Sequence, residues 1–351
     1  MDTATYTELS LAAQTSYAQL LEAALSADHV RSVSDLQGSF AAKTVRGRKY
    51  WYFQYTEPSG KLRQVFVGPD SPAVHALMAR KSQPSAREAL APLVRSAIAL
   101  GCTEILPRHL RVLQRLAEYG FFRAGGVLVG THAFLAFGNM LGVRWADASR
   151  TQDVDFAHAG KRLAIALPSN LSVNVDAAIK SLEMGFLPVS SLTSKVGAAY
   201  LNPREPEFRL DFLTPLHRGG EVPVDHPQLG ITLQPLRFME FSLEDVQQAV
   251  LFSGDKATVA NVPNAARFAL HKLLVYGERK GAFAAKSTKD LTQAGLLLMC
   301  LKELRNWEVE EAWKDLVARG KGWVQRARVG IAALDKAFPQ LDAKRWLKLP
   351  V

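Results

Sequence analysis

The sequence predicts an α+β protein. Its N-terminal helical region is interrupted by a basic, aromatic β-hairpin. A core of mixed sheet and helices follows, and the chain closes in a helical bundle. Three observations carry this. Residues 39–68 are rich in aromatic and β-branched residues and contain turn signals at Arg46-Gly47 and Pro58-Ser59-Gly60. Short strand-like runs then follow a glycine-rich turn near residue 130. From Asn264 onward, apolar residues recur at helical spacing. The expected domains are 1–120, 121–262 and 263–351.

The elements read in order as follows. Leu9, Leu11, Tyr17, Leu20, Leu21, Ala24 and Leu25 place an amphipathic helix over residues 5–30. After the hairpin, helices are expected over 71–82, 84–100 and 107–119, with Pro72, Pro84 and Pro107 in first-turn positions. The core opens at Phe122. Gly125 to Val129 reads as a strand, and Thr131 to Phe137 starts a helix. Further strands are expected at 151–157, 163–166, 196–201 and 207–213, with a helix near 173–183. Residues 230–262 read as more strands plus a short helix at 243–247. Four helices, 264–280, 287–304, 306–319 and 321–337, complete the chain.

Composition narrows the class. The 351 residues are 48% hydrophobic and 22% charged, as in an ordinary water-soluble globular protein. No apolar run reaches the roughly 18 residues needed to span a membrane. The N-terminus carries an early acid and no basic segment, so a secretory signal is not expected and a cytoplasmic location is. Two cysteines, Cys102 and Cys300, suit isolated core thiols rather than a disulfide framework or a zinc site. The net charge is +10. Residues 31–120 hold 14 Lys and Arg against 6 Asp and Glu, a surplus of 8, which favours an anionic polymer as partner.

The segment RTQDVDF, Arg150 to Phe156, is the most informative. On a strand, Asp153 and Asp155 share one face while Val154 and Phe156 point into a core. Two carboxylates held side by side repel each other unless a cation lies between them, and a hard divalent ion such as Mg²⁺ is the usual solution. FRLDFLTP, Phe208 to Pro215, alternates strictly, with Phe208, Leu210 and Phe212 on one face and Arg209 and Asp211 on the other. If the two strands are neighbours, Asp211 joins the pair. Upstream, Gly130-Thr131 closes a strand and opens a helix, so its backbone N–H groups form a seat for phosphate.

A glycine turn, a helix, a strand with paired aspartates and a later strand with a third resemble the nucleotidyltransferase fold of the DNA polymerase β superfamily. The fuller string GGVLVGTHAF…LGVRWADASRTQDVDF is similar to a bacterial nucleotidyltransferase-fold family akin to AbiEii-type toxins. Two features depart from the superfamily pattern. Thr131 stands where Ser is commoner, and 21 residues separate it from Asp153, which implies an extra loop over the site at about Leu141 to Ser149. The resemblance implies a metal-dependent enzyme that moves a nucleoside monophosphate from an NTP to a hydroxyl acceptor. It implies Mg²⁺ or Mn²⁺ on Asp153, Asp155 and Asp211, and NTP contacts from Gly130, Thr131 and Arg150. Lys272, on the helix ARFALHKLL, and the downstream Arg279, Lys289 and Asp290 would reach the triphosphate. A toxin or phage-defence role, with an antitoxin or other protein partner, belongs to the same implication.

Each site has a plainer counterpart. A lone DxD is often a solvated strand end, and Thr131 is a competent helix N-cap. His132 is as compatible with packing as with lining a pocket. Lys272, Arg279, Lys289 and Asp290 equally suit solvated helix charges. In the hairpin, Lys43, Arg46, Arg48, Lys49, Lys61 and Arg63 interleave with Tyr50, Trp51, Tyr52, Phe53 and Tyr55. That pattern suits unpaired RNA bases stacked on rings with phosphates held by cations. It equally suits a small sheet burying one face on a neighbour. RNA, such as tRNA, is the expected acceptor. Nucleotidylation of a protein or small molecule stands as an alternative, as does a non-enzymatic nucleic-acid-binding protein with a relic fold.

Overall fold

The computed structural model describes residues 6–29, 38–56, 62–81, 88–146, 152–159, 173–189, 198–216, 220–278 and 284–348. The chain opens with a short strand, β1 (Tyr6–Glu8), and helix α1 (Leu11–His29). A three-stranded antiparallel sheet follows: β2 (Ser39–Val45), β3 (Arg48–Thr56) and β4 (Leu62–Pro69). Arg46 and Gly47 join β2 to β3 with φ of 49° and 73°. Two successive left-handed residues give the tight hairpin whose twist matches its strands. Pro58-Ser59-Gly60 lies outside the described residues. Then come α2 (Pro72–Lys81), a 3₁₀ turn at Glu88–Leu90, α3 (Ala91–Ala99) and α4 (Pro107–Glu118). A proline stands in the first turn of α3 and α4, where its missing N–H costs nothing. Pro84 falls outside the described residues.

The central sheet begins with β5 (Gly126–Val129), which runs into α5 (Gly130–Leu141) and the short strand β6 (Val143–Trp145). The chain continues through β7 (Val154–His158), α6 (Val175–Lys180), β8 (Leu187–Pro188), β9 (Ala199–Asn202), β10 (Glu205–Pro215), β11 (Val224–His226) and β12 (Ile231–Leu236). The sheet order is β11-β12-β10-β7-β5. β10 is parallel to β7 and to β12, whereas β5 is antiparallel to β7, so the sheet is mixed. β9 pairs with the first half of β10, and β8 with β9. The expected strand at 163–166 lies outside the described residues.

The aromatic residues that alternate along β7 and β10 form the core. Phe156 and Phe212 stack with centroids 5.2 Å apart, and Phe121 meets both edge-on. Each is fully buried, and burying such a ring contributes about 1.5–3 kcal/mol. Beyond β12, the short helix α7 (Met239–Ser242) lies four residues before the helix expected at 243–247. Phe238, at φ 63°, opens it, and Asp245, at φ 56°, cannot continue a right-handed helix. The hairpin β13 (Gln247–Ser253) and β14 (Lys256–Val262) then carries α1 and α3 against Val250, Phe252 and Ala257, while its other residues join the main core.

Residues Leu141 to Trp145 do not form a loop over the site. Helix α5 extends to Leu141, Gly142 ends it in the left-handed conformation, and β6 pairs with β1. Trp145 is buried, stacks on Phe134 at 4.7 Å and donates its indole N–H to the Phe134 carbonyl. A strand this rich in buried contacts is held on the back of α5. Residues 147–149 lie outside the described residues.

The last third is helical as expected: α8 (Ala265–Glu278), α9 (Ala284–Leu304), α10 (Asn306–Ala318), α11 (Lys321–Ala337) and the short α12 (Ala343–Trp346). Asn264 caps α8 by accepting from the N–H groups of Ala266 and Arg267. α8 and α11 cross at two glycines. A Cβ on Gly330 would lie 2.3 Å from the Leu273 carbonyl oxygen, and one on Gly277 would lie 2.2 Å from that of Arg326. In an isolated helix Gly330→Ala would gain about 1 kcal/mol. Here the clash is with backbone, and overpacking costs about 1–3 kcal/mol. Gly330→Ala is therefore expected to lower the thermal midpoint by a few degrees by calorimetry, while Gly322→Ala, at an exposed position of the same helix with no backbone in the way, should leave it unchanged or raise it.

Candidate active site

The site grows from one contact between β5 and β7. Val129 lies opposite Asp155 in the sheet, so the turn that follows β5 passes directly against that carboxylate. Gly130 has φ 63°, and a Cβ there would lie 2.1 Å from Asp155 Oδ2. Only glycine meets both conditions. The same turn starts α5, and no side chain at its N-cap takes up the first N–H groups, which have no intrahelical partner. Asp153, two residues before Asp155, lines the same cleft. The strand alternation holds: Val154 and Phe156 are fully buried while Asp155 is half-buried.

β10 brings Asp211 directly opposite Asp155. Its side chain, however, accepts from Arg209 Nε at 2.6 Å, within the same strand, and it stands outside the lining of the cleft. Arg209 and Asp211 alternate onto one face, so their pairing follows from the pattern that placed Asp211 there. Among the described residues no three His, Cys, Asp or Glu side chains gather as a metal cage. Asp153 and Asp155 alone suit Mg²⁺, which takes one or two carboxylates and completes its shell with water and substrate phosphate.

The opposite wall comes from the helical region. Lys272 on α8 and Lys289, Asp290 and Gln293 on α9 line the cleft with Gly130 and Thr131. Lys272 is buried, donates to Asp290 Oδ1 at 2.6 Å and lies 4.8 Å over the Phe268 ring. Burial and the neighbouring Lys272 hold the Lys289 ammonium below the ordinary lysine range, while Asp155, Asp153 and Asp290 pull it back up. Thr131 is buried, and its hydroxyl accepts from Gln293 Nε2 at 3.2 Å. Gln293 escaped the sequence reading, although its i+4 spacing from Lys289 puts both on one helix face. Leu213, Leu236, Met239, Phe268 and Val275 supply an apolar wall. The cleft, with the solvent it opens to, encloses about 870 Å³. Arg150 and Arg279 lie outside the described residues.

The model of a nucleotidyltransferase family matches residues 108–318, from α4 through α10 and more than half of the chain. The chain belongs to this nucleotidyltransferase family. The solved structure of an antigenic nucleotidyltransferase-like protein from Paracoccidioides brasiliensis is similar at 17% identity and a TM-score of 0.34, over 71% of this chain and 96% of that one. A search of curated proteins finds no match. The AbiEii kinship thus rests on the motifs alone. Within the matched segment, the two walls of the cleft carry Asp153 and Asp155 on one side and Lys272, Lys289 and Asp290 on the other. No helix among the described residues is long and apolar enough to cross a membrane.

His132, next to Thr131, packs rather than lining the cleft of this nucleotidyltransferase. His132 Nε2 and His109 Nδ1 are 2.8 Å apart, and both rings are buried. Burial first, and then the neighbouring charges, pull them down to about 3 for His132 and about 4 for His109. A histidine depressed when folded stabilises fully above its unfolded pKa of about 6.5 and loses that contribution as pH falls toward the folded value. The thermal midpoint is therefore expected to fall between pH 6.5 and pH 4. In the double variant His109→Gln/His132→Gln, calorimetry across that range should give a flatter profile than wild type. An equally steep profile would assign the acid lability elsewhere.

Proposed function

We propose that this nucleotidyltransferase moves a nucleoside monophosphate from an NTP to a hydroxyl of RNA, with Mg²⁺ or Mn²⁺ held by Asp153 and Asp155. The observation that carries this is the meeting, in one cleft, of paired aspartates, a side-chain-free turn at a helix N-terminus and two lysines. Asp153, Asp155 and Asp290 against Lys272 and Lys289 leave the lining with one net negative charge. Such a cleft takes a polyanion only together with cations. When bound, the ion would neutralise charge on the phosphoryl oxygens and favour ionisation of the attacking hydroxyl.

The remaining work falls to the chain itself. The N–H groups at the start of α5 would receive phosphate oxygens, as helix N-termini do. Gln293 fixes the Thr131 side chain and so the turn. Lys272, already positioned by Asp290, and Lys289 would act as point charges on the triphosphate. The apolar wall would take the base and ribose. Catalysis of this kind is positioning and charge stabilisation. Asp211 is a further ligand in this proposal only if Arg209 releases it. The basic hairpin favours RNA as acceptor. A toxin or phage-defence role, with an antitoxin partner, extends the proposal on the motif resemblance to AbiEii-type proteins.

The test uses NTPs labelled at the α-phosphate, total cell RNA and Mg²⁺. Label is expected in RNA. Asp153→Asn and Asp155→Asn should each abolish it without lowering the thermal midpoint, since removing like charge relieves repulsion in the metal-free protein. Label on a protein or small molecule would overturn the RNA acceptor, and transfer at wild-type rate by both variants would overturn the metal site. The triphosphate seat is probed by Lys289→Ala, because Lys289 has no ion pair within 4 Å among the described residues. Loss of one charge-assisted contact should weaken a non-hydrolysable NTP about tenfold in isothermal titration, and an unchanged constant would return Lys289 to a structural role.

A further inference from the structure

The β2-β3-β4 sheet lies outside the segment matched by the family model. Its pairing sorts the aromatic residues onto two faces with different fates. Trp51 lies opposite Ala42 and Gly68. On that face α2 packs, Val74 comes 3.2 Å from where a Gly68 Cβ would be, and the Trp51 indole N–H donates to Asp70 at 2.6 Å. His75 meets the Trp51 ring edge-on and also bonds Asp70. Trp51 thus holds α2 on the sheet.

The other face is different. Tyr52 lies between Ala41 and Phe66, and Tyr50 between Lys43 and Pro69. Phe66 meets Tyr52 at 5.5 Å and Tyr50 at 6.0 Å, and Lys43 Nζ lies 4.7 Å over Tyr52. Tyr50 and Tyr52 are half-buried, and Phe66 is 55% exposed. Arg46 and Arg48 at the hairpin tip are exposed, and residues 38–56 contain no acidic residue. Lys43 is also bonded to Gln64, a neutral neighbour on this face. A partly exposed ring cluster bordered by cations and no carboxylate of residues 38–56 is complementary to a polyanion with flat apolar parts.

We propose that Tyr50, Tyr52 and Phe66 form a stacking platform for unpaired RNA bases, with Lys43 and Arg48 on the phosphates, and that Trp51 takes no part. This deepens the RNA-acceptor reading and rests on it. Stacking on aromatic side chains with cations along the backbone is how single strands are held without base pairing.

The test is fluorescence anisotropy of the full chain with a labelled single-stranded RNA oligonucleotide, without NTP or metal. Tyr52→Ala and Phe66→Ala should each weaken binding about tenfold at unchanged salt slope and thermal midpoint. Lys43→Ala/Arg48→Ala should make the slope of log affinity against log salt shallower by about 1.4. Trp51→Phe should bind RNA as wild type but melt earlier, having lost the bond to Asp70. Wild-type affinity in both ring variants overturns the platform, as does loss of affinity in Trp51→Phe at an unchanged midpoint. DNA of the same sequence bound as tightly overturns the RNA assignment. A wild-type dimer in sedimentation that Phe66→Ala makes monomeric overturns it in favour of a second copy. Binding by Asp153→Asn is expected to be normal, so failure here leaves the catalytic reading standing, and failure of transfer leaves this surface standing.

Discussion

Asp155 presses against a turn that has no side chain, and most of the site depends on that approach. A methyl group on Gly130 would lie 2.1 Å from the carboxylate oxygen, and the left-handed φ there suits glycine for a second reason. The contact requires β5 and β7 to be neighbours with Val129 opposite Asp155. That register is held by the buried rings beneath, since a slip of one residue would carry Phe156 to the cleft and Asp155 into the core. The glycine turn and the carboxylate pair are therefore one construction.

The charges on the far wall come from helices distant in sequence. Gln293 on α9 bonds Thr131, and Lys272 on α8 bonds Asp290 on α9. These bonds tie the helical region to the turn across the cleft. The crossing of α8 and α11 at Gly330 and Gly277 sets how close those helices come. Packing in the C-terminal third thus reaches the proposed triphosphate lysines through α8.

Much of this was legible in the sequence. Strict alternation in Phe208 to Pro215, and the apolar Val154 and Phe156 set against Asp153 and Asp155, mark the faces of β10 and β7 that burial bears out. The parallel pairing of Asp211 with Asp155 could only be posed as a condition, because register is a tertiary property. That Arg209 would take the Asp211 carboxylate was implicit in their shared face, yet a sequence does not rank an ion pair against a metal. The helix expected at 243–247 lies four residues earlier, at Met239–Ser242, because Phe238 and Asp245 adopt left-handed conformations that their residue types do not announce. Leu141 to Trp145 read as a loop because its partner, β1, is three residues long and over a hundred residues away. Trp51 is one of five interleaved hairpin aromatics in the sequence, and only the strand pairing separates it from Tyr50 and Tyr52 by placing it on the face where α2 packs.

In the function proposed above, Asp153 and Asp155 hold a divalent ion beside a triphosphate seated on the Gly130 turn. A crystal structure with a non-hydrolysable NTP and Mn²⁺, phased at the manganese edge, tests it most directly. Anomalous density is expected between these two carboxylates, with phosphate oxygens against the start of α5 and within reach of Lys272 and Lys289. Nucleotide bound elsewhere, or a triphosphate in the cleft with no manganese on Asp153 and Asp155, would contradict it.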